Sequence, residues 1–561
     1  MKDDTETGRR KWNRLQTSRR RVLTGGAGLA AGAASLLAVG CGDDDDDDDS
    51  GANGGQTPGT SPTVQQPKQG GTLRIPANAD PPTLDPHLSS AAQTYNFVNF
   101  IYSRLLTFDT SEASTPYSFQ LTGDLAESWE QPDPLTYTFK LRPGLKWQNA
   151  APLNGRALTA EDVAYAFERI RTPDPKFTSA FIFGVVDKIS APDSSTVVIK
   201  LKSKFAPFLD NVAHQNALVV PKEIIQADGD ARKTAVGSGP FQLKSAQTGS
   251  KYTLERNPEY HRGAAYIDGI DYLIMPDAAL QLAALRSGQI DLMSIDPDLS
   301  KELERTNPDV SIKKLDGTSG VRLAIWNQAA PYNDVRVRQA IHYAIDRSAI
   351  ISTARSGYAR LMSIFGKNLS NWDIPEAEIT KYMTADVSRA KQLMEQAGSG
   401  GGFDTTWEAA PPTHPLNVYE MIQQQLKAIK VNLKIETIEY AAWQQHANTQ
   451  KFTAFISGIR GTSDPDNILY RNYHPNSPQR WVQLGAEEEN LKSLIEKQRE
   501  ELNTEARRTL VRDAVRAVLD RTLVPGLYDP QAYYASAKRL KGWAPHGVDG
   551  NLEMAKVWLD G

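Results

Sequence analysis

Residue types that carry out catalysis are present in this sequence, but their spacing gives no catalytic motif. No two of the eight histidines lie within five residues of each other, so there is no HExxH helix that could bind zinc. The sequence also has no GxSxG nucleophile elbow and no GxxxxGK(S/T) phosphate loop. In Gly237-Ser238-Gly239-Pro240 the proline prevents a helix from presenting its amides to a phosphate. We therefore predict that the chain is not an enzyme, with no catalytic residue, no metal site and no cofactor.

A secreted hydrolase stays open as the alternative from another class, because sequence spacing alone cannot pair carboxylates across a cleft. The charge balance excludes a different class of partner. The chain has 63 Lys and Arg residues against 67 Asp and Glu residues, a net charge of −4. Because binding to phosphate backbones needs a basic surface, we expect no nucleic acid partner.

The N-terminal segment has the pattern of an export signal. Residues 22–40 run for nineteen residues without a charge, and eleven of them are Gly or Ala. A stable membrane-spanning helix would contain more Leu, Ile, Val and Phe, so a signal peptide is the better interpretation. The preceding Ser18-Arg19-Arg20-Arg21-Val22-Leu23 resembles a twin-arginine signal.

The only cysteine of the chain, Cys41, ends this segment in Leu37-Ala38-Val39-Gly40-Cys41. A single cysteine excludes disulfides within the chain and cysteine-based zinc or iron–sulfur sites. The five residues resemble a bacterial lipobox, although Ala38 stands where a larger aliphatic residue is usual. We predict that residues 1–41 are a twin-arginine-like lipoprotein signal and that Cys41 is lipidated. Acyl chains would then hold the protein on a membrane.

Residues 42–69 have the composition of a disordered tether. They contain seven consecutive aspartates, at positions 43–49, followed by a stretch rich in Gly, Ser, Pro, Thr and Gln. Like charges repel, and such residues cannot build a core. The functional part of the chain therefore begins near Gly70.

The remaining part of about 490 residues alternates between two hydrophobic periods. Period-two alternation predicts strands near residues 73–77, 137–141 and 431–435. Helical spacing follows Thr159, a predicted N-cap with Asp162 three residues later. Alternation of strands and helices predicts an α/β fold rather than a helical bundle or a β-sandwich.

Seven segments of this body occur in one order that matches a known family. The best match is PYNDVRVRQAIHYAIDR, residues 331–347. The other six are GGTLRIPANADPPTLDPH (70–87), LAESWEQPDPLTYTFKLRPGLKW (125–147), LTAEDVAYAFERI (158–170), VGSGPFQL (236–243), RNPEYHRG (256–263) and ALRSGQIDL (284–292). Together they resemble family 5 of the bacterial extracellular solute-binding proteins. These are the peptide- and nickel-binding lipoproteins of ATP-binding-cassette importers.

The resemblance implies a two-lobed, type II periplasmic-binding-protein fold of cluster C, with an extra inserted domain. Ligand would bind between the lobes, and closure would be a hinge motion. The implied ranges are 70–112, 235–325 and 524–561 for the main domain of the first lobe, 113–234 for the inserted domain, and 326–523 for the second lobe.

The resemblance also implies where a ligand binds. In the family's peptide binders, an acid three residues before an Asp-Pro or Glu-Pro step pairs with the α-amino group of the peptide. Aligning on Asp464-Pro465 puts Gly461 at that place, between Arg460 and Thr462. The acid that would demand a free N-terminus is therefore missing. The alternative is that the alignment shifts and Asp464 or Asp466 is the anchor.

Two aromatic residues complete the predicted site. Tyr440 falls where the family's peptide binders have an aromatic residue in the cleft, and Trp443 lies close by. Both could stack on sugar rings or side chains, and Arg460 could bind a carboxylate. For Trp443, core packing is an equally good interpretation.

These observations predict an exported cell-envelope lipoprotein that faces the periplasm or the cell exterior. We expect a monomer that captures an oligopeptide-like solute and passes it to an ATP-binding-cassette permease of the inner membrane. An oligosaccharide is the second choice of ligand. A nickel chelate or haem is disfavoured, since no His or Met cluster is evident. A receptor that serves only a signalling partner is a further alternative.

Overall fold

The computed structural model describes residues 66–89, 91–111, 113–174, 176–177, 179–317, 320–411, 414–459, 461–477, 480–547 and 554–561. Of Phe181 and Ile459 it describes the backbone only. The predicted signal, Cys41 and nearly all of the tether lie outside the described residues, and so does Arg460.

The described strands, in chain order, are β1 (Thr72–Ala77), β2 (Leu106–Phe108), β3 (Leu121–Gly123), β4 (Ala126–Asp133), β5 (Thr136–Leu141), β6 (Val186–Asp193), β7 (Thr196–Leu201), β8 (Phe241–Gln247), β9 (Lys251–Arg256), β10 (Gly269–Ile274), β11 (Leu292–Ile295), β12 (Val310–Leu315), β13 (Gly320–Ile325), β14 (Ala359–Arg360), β15 (Phe403–Ala409), β16 (Val431–Thr437), β17 (Ala454–Ile459), β18 (Gly526–Pro530), β19 (Ala532–Ala537), β20 (Leu540–Lys541) and β21 (Trp558–Leu559).

The described α-helices are α1 (Ala92–Val98), α2 (Ala160–Ile170), α3 (Phe208–Val212), α4 (Lys222–Asp228), α5 (Ala278–Arg286), α6 (Pro297–Thr306), α7 (Val335–Ala344), α8 (Arg347–Ala349), α9 (Glu376–Met383), α10 (Val387–Gln396), α11 (Leu416–Leu426), α12 (Tyr440–Asn448), α13 (Asp466–Tyr473), α14 (Glu489–Glu500) and α15 (Thr504–Asp520). The strands and helices predicted from hydrophobic spacing are confirmed.

Two four-stranded sheets share the largest hydrophobic core. The first has the order β1-β10-β9-β8, with β1 and β10 parallel and the other neighbours antiparallel. The second, β4-β5-β7-β6, is antiparallel and lies wholly within the predicted inserted domain. Helix α2 packs on it and begins with the predicted capping box of Thr159 and Asp162. The capping box satisfies backbone donors at the helix start and so fixes where α2 begins.

A three-stranded sheet, β11-β19-β12, forms around a smaller core. Its central strand β19 comes from near the C-terminus and pairs antiparallel with both neighbours. Asp291, just before β11, is fully buried and accepts hydrogen bonds from the guanidinium groups of Arg74 and Arg539. These bonds join β1, β11 and the end of the chain.

A mixed six-stranded sheet has the order β14-β18-β13-β17-β15-β16. One of its faces packs on α7, α10 and α11, and the other packs on α9 and α12 to α15. Strand residues therefore alternate between the two cores: Leu323 and Ile325 belong to one and Ala324 to the other. A sheet covered on both faces explains why β13 is buried at every position.

The chain passes between the three-stranded and six-stranded sheets twice. The first crossing connects β12 to β13 and the second connects β18 to β19 through Gln531. Gly317, in the first crossing, has a φ of +124°, and a Cβ there would lie 2.2 Å from Oδ2 of Asp529 in the second. The two crossings are thus in direct contact, which gives the two-lobed α/β fold predicted from the sequence. The domain boundaries stay a prediction; β13 and β18, members of the six-stranded sheet, lie just outside the range 326–523.

Candidate functional site

The predicted ligand loop leaves the centre of the six-stranded sheet. Strand β17 lies between β13 and β15, and the chain passes from it through residues 461–465 into α13. Within the loop, the Thr462 hydroxyl accepts hydrogen bonds from Asn467 Nδ2 at 2.9 Å and from the Asp464 amide at 3.4 Å. Asn368 donates to the Thr462 carbonyl. The described part of the loop is therefore held by its own side chains and by one outside amide.

Asp464 is the most enclosed residue of this loop, with 2% of its surface exposed. The Arg507 guanidinium on α15 donates to both of its carboxylate oxygens, at 2.6 and 2.7 Å. Arg507 also donates to the carbonyl and side-chain oxygens of Gln498 and lies 4.9 Å from the ring of Trp372. A two-pronged pair of this kind offsets much of the cost of burying both charges.

Asp466, the alternative anchor, is also buried and bonded. Gln498 Nε2 donates to it at 2.7 Å, and Arg499 lies 3.2 Å from its other oxygen. Burial raises its pKa, and Arg499 opposes that rise. Both acids that could replace the missing anchor are therefore held by arginines of α14 and α15. Their contact with a ligand stays a prediction.

Three groups that sequence reasoning missed lie around the loop. Arg507 follows Asp464 by 43 residues, and Arg499 belongs to another helix. Asp210, from α3 beside the second four-stranded sheet, hydrogen-bonds to Ser463. No short-range pattern links such distant positions, so no signal in the sequence could have paired them.

The two predicted aromatic residues differ in exposure. Tyr440, the first residue of α12, is 42% exposed, whereas Trp443 is 7% exposed. Their ring centroids are 5.3 Å apart with the planes tilted by 33°. Trp443 also meets Phe455 at 5.3 Å and His414 at 4.6 Å, both edge to face. Of the two, only Tyr440 presents a ring to solvent, while Trp443 packs as a core residue behind it.

Two polar atoms in this aromatic cluster have no hydrogen-bond partner in the part of the chain that the structure describes. They are Nε1 of Trp443 and Nε2 of His414. Burial lowers the pKa of His414 to about 4, so its ring is neutral near pH 7. A neutral imidazole and an indole can pack together without burying a charge.

A buried cation lies beside the loop on the same sheet. Arg322 of β13 faces Ser457 across the ladder and is fully buried. It donates to the side chain of Asn472 at 2.9 Å and lies 5.4 Å from the ring of Trp481. Burial lowers its pKa. This residue type was not predicted to contribute to the site.

Searches for metal and membrane sites gave no candidates within the described ranges. Those residues contain no group of three or more His, Cys, Asp or Glu side chains that could hold a metal ion. Likewise, none of the helices found there combines the length and the apolar character needed to cross a bilayer.

Comparison with known proteins gives one family. Residues 120–479 match the profile described as bacterial extracellular solute-binding proteins, family 5 Middle. The dipeptide-binding protein of Escherichia coli is 28% identical over 436 residues, covering 72% of this chain and 79% of that protein. Heme-binding protein A of Haemophilus influenzae is 29% identical over 402 residues, covering 66% and 70%.

A solved structure agrees over a larger share of the chain. The periplasmic binding protein DppA of Helicobacter pylori, in complex with the peptide STSA, superposes with a TM-score of 0.76. It is 26% identical, and the match covers 88% of this chain and 99% of that one. The two-lobed α/β fold is thereby confirmed.

The Asp464–Arg507 pair should be essential for stability. Asp464→Asn should lower the free energy of unfolding by about 3–5 kcal/mol, because Arg507 would keep a buried charge without its carboxylate. Adding Arg507→Met should recover most of that loss. Glu505→Gln, which breaks the exposed pair with Arg508 on the same helix, should cost roughly 1 kcal/mol or less. Urea unfolding followed by circular dichroism measures all four chains, and equal small costs for Asp464→Asn and Glu505→Gln would contradict this account.

Proposed function

The chain belongs to family 5 of the bacterial extracellular solute-binding proteins, and we propose that it is the membrane-tethered receptor of an ATP-binding-cassette importer. In this role it captures an oligopeptide-like solute between its lobes and delivers it to the permease. The observation that carries the proposal is the match to the family profile over residues 120–479. Family members are extracytoplasmic solute-binding proteins of importers, so the chain is a receptor and not an enzyme.

The tether is supported by the sequence at the N-terminus. A basic region, an uncharged stretch rich in Gly and Ala and a lipobox-like end come together at Cys41. Each buried methylene of an acyl chain contributes about 0.8 kcal/mol, so two or three chains would hold a folded domain on a membrane. The acidic stretch that follows would keep the receptor body away from the bilayer surface.

Closure by a hinge is supported by the way the chain connects its sheets. Only the two crossings at Gly317 and Gln531 join the six-stranded sheet to the three-stranded one. A few φ and ψ changes there could rotate one rigid body against the other. A ligand that touches both bodies favours the closed state by its difference in affinity for the two states.

The ligand class follows from the charges around the loop. A closed cleft that buries an α-ammonium must pair it, and leaving it unpaired costs several kcal/mol, roughly 3–5. The position that would hold the pairing acid is Gly461, and Asp464 and Asp466 are already bonded to arginines. Neutral or acidic solutes therefore fit better than short peptides with a free N-terminus.

Two kinds of solute meet this requirement. N-blocked or long peptides are the first, in line with the dipeptide-binding relative and the peptide-bound neighbour. Sugar oligomers are the second, favoured by the exposed ring of Tyr440, which can stack on a sugar face. The relatives' names include haem as well as peptides, so membership in the family does not by itself choose between them.

The anchor is tested by fractionation of the natively expressed chain. The wild type should partition into detergent with a diacylglycerol on Cys41, because the signal and the lipobox-like residues end there. Cys41→Ala should be unprocessed or released to the medium, whereas Ser50→Ala, in the tether, should partition like the wild type. Mass spectrometry of the N-terminal peptide and immunoblots of the two phases provide the measurement. Unchanged partitioning of Cys41→Ala would rule out the anchor.

The ligand class is tested by thermal shifts with matched panels at one concentration. Free-amine di- to pentapeptides should shift the melting temperature little, and their N-acetylated forms or sugar oligomers should shift it more. A ligand at a hundred times its dissociation constant stabilises the fold by about 2.7 kcal/mol. Gly461→Asp should gain a response to free-amine peptides, and the uncharged control Gly461→Asn should not. Largest shifts with free-amine peptides in the wild type, abolished by acetylation, would overturn the proposed ligand class.

A further inference from the structure

A short segment beside the second four-stranded sheet contacts the helices that pack on the six-stranded sheet. We name residues 205–210 the docking segment. It follows β7, and its Phe205 and Phe208 belong to the core of the two four-stranded sheets. The Ala206 amide donates to the Arg499 carbonyl at 2.6 Å. The segment therefore joins two bodies that the chain otherwise links through the crossings.

Arg499 is gripped from both sides of this contact. Its guanidinium lies 4.9 Å from the ring of Phe205 in the docking segment and 3.8 Å from the ring of Tyr470 on α13. It also pairs with Asp466. A guanidinium between two aromatic faces gains cation–π attraction from each of them, more so where water is excluded.

The docking segment ends at the predicted ligand loop. The Ser463 hydroxyl donates to the carboxylate of Asp210, which is half-buried. The other charged groups that the structure describes at this contact are Asp464, Asp466, Arg499 and Arg507.

These charges do not balance. Arg507 is committed to Asp464 and Arg499 to Asp466, so two cations face three carboxylates. Asp210 is the acid left without a cation of its own, and Asp464 repels its charged form. Two carboxylates that share a dehydrated site cannot both be ionised without cost, and one proton removes that cost.

We propose that the docking segment is a latch that forms when the lobes close, and that forming it takes up one proton on Asp210. Acidification then favours the closed receptor. The inference rests on the proposed hinge closure and adds a regulatory element to it. Because Ser463 belongs to the loop predicted to contact ligand, capture of a solute and formation of the latch act on the same few residues.

The direction of the pH effect follows from the two states of Asp210. In the open state its carboxyl faces water and titrates near its ordinary pKa of about 4. In the latch, burial, followed by repulsion from Asp464, raises the pKa to about 7. Between those values closure binds a proton, so the ratio of closed to open receptor falls up to about tenfold for each unit of rising pH. Above pH 7 and below pH 4 the ratio should level off.

Double electron–electron resonance on the full chain measures this ratio directly. Spin labels at Glu130→Cys and Lys391→Cys, both exposed positions, report the distance between the two bodies, and Cys41→Ser keeps labels off the native cysteine. From pH 7.5 to 5.5 the ratio of closed to open populations should rise by roughly twentyfold. Asp210→Asn, which keeps the shape and can still accept from Ser463, should hold the low-pH ratio throughout. Asp187→Asn, an exposed acid of the same sheet, should follow the wild type.

The outcomes separate the latch from the function. Two distance populations whose ratio is independent of pH, or the same pH profile in Asp210→Asn as in the wild type, would overturn the latch and leave the receptor standing. One distance at every pH would contradict the hinge, and with it both the proposed closure and the latch. Loss of pH dependence in Asp210→Asn alone is the expected result.

Discussion

The structure depends on a constraint of connectivity: the chain passes between its six-stranded sheet and the rest of the body only at two points, which touch each other. Asp529, beside the second crossing, accepts a hydrogen bond from the Lys367 amide at 2.6 Å and leaves no room for a side chain at Gly317. Each body around these crossings has its own core. Rigid bodies joined at one place can change their relative orientation without repacking either core. A cleft receptor needs this property.

The electrostatics of the loop set the chemistry that such a cleft can accept. Burying Asp464 and Asp466 with arginines uses the acids that a positively charged ligand would need. The same pairs leave Asp210 as the surplus acid at the contact between the bodies. One arrangement of charges thus accounts for a preference against free amines and for a proton-linked contact. Both consequences follow from the cost of unpaired charge in a dry environment.

Much of the fold could be predicted from the sequence because it is written in local patterns. Period-two alternation located β5, β7 and β16, and the capping box at Thr159 located the start of α2. The family segments then implied the two-lobed arrangement. The candidate site was less accessible, since its partners are distant in sequence: Asp464 meets Arg507, and Ser463 meets Asp210. Trp443 shows the remaining ambiguity, because an aromatic residue at helical spacing suits a core and a cleft equally well.

The central claim is that two lobes close on a solute, and small-angle X-ray scattering of the natively produced chain tests it most directly. The chain should be measured as purified, then after denaturant and dialysis have removed bound solute, and again after the released solute is returned. Mass spectrometry of the released fraction identifies what was bound. The account predicts a larger radius of gyration for the solute-free chain and recovery of the smaller value on return of the solute. A radius that stays the same in all three states, with a solute demonstrably bound in the first and third, would contradict it.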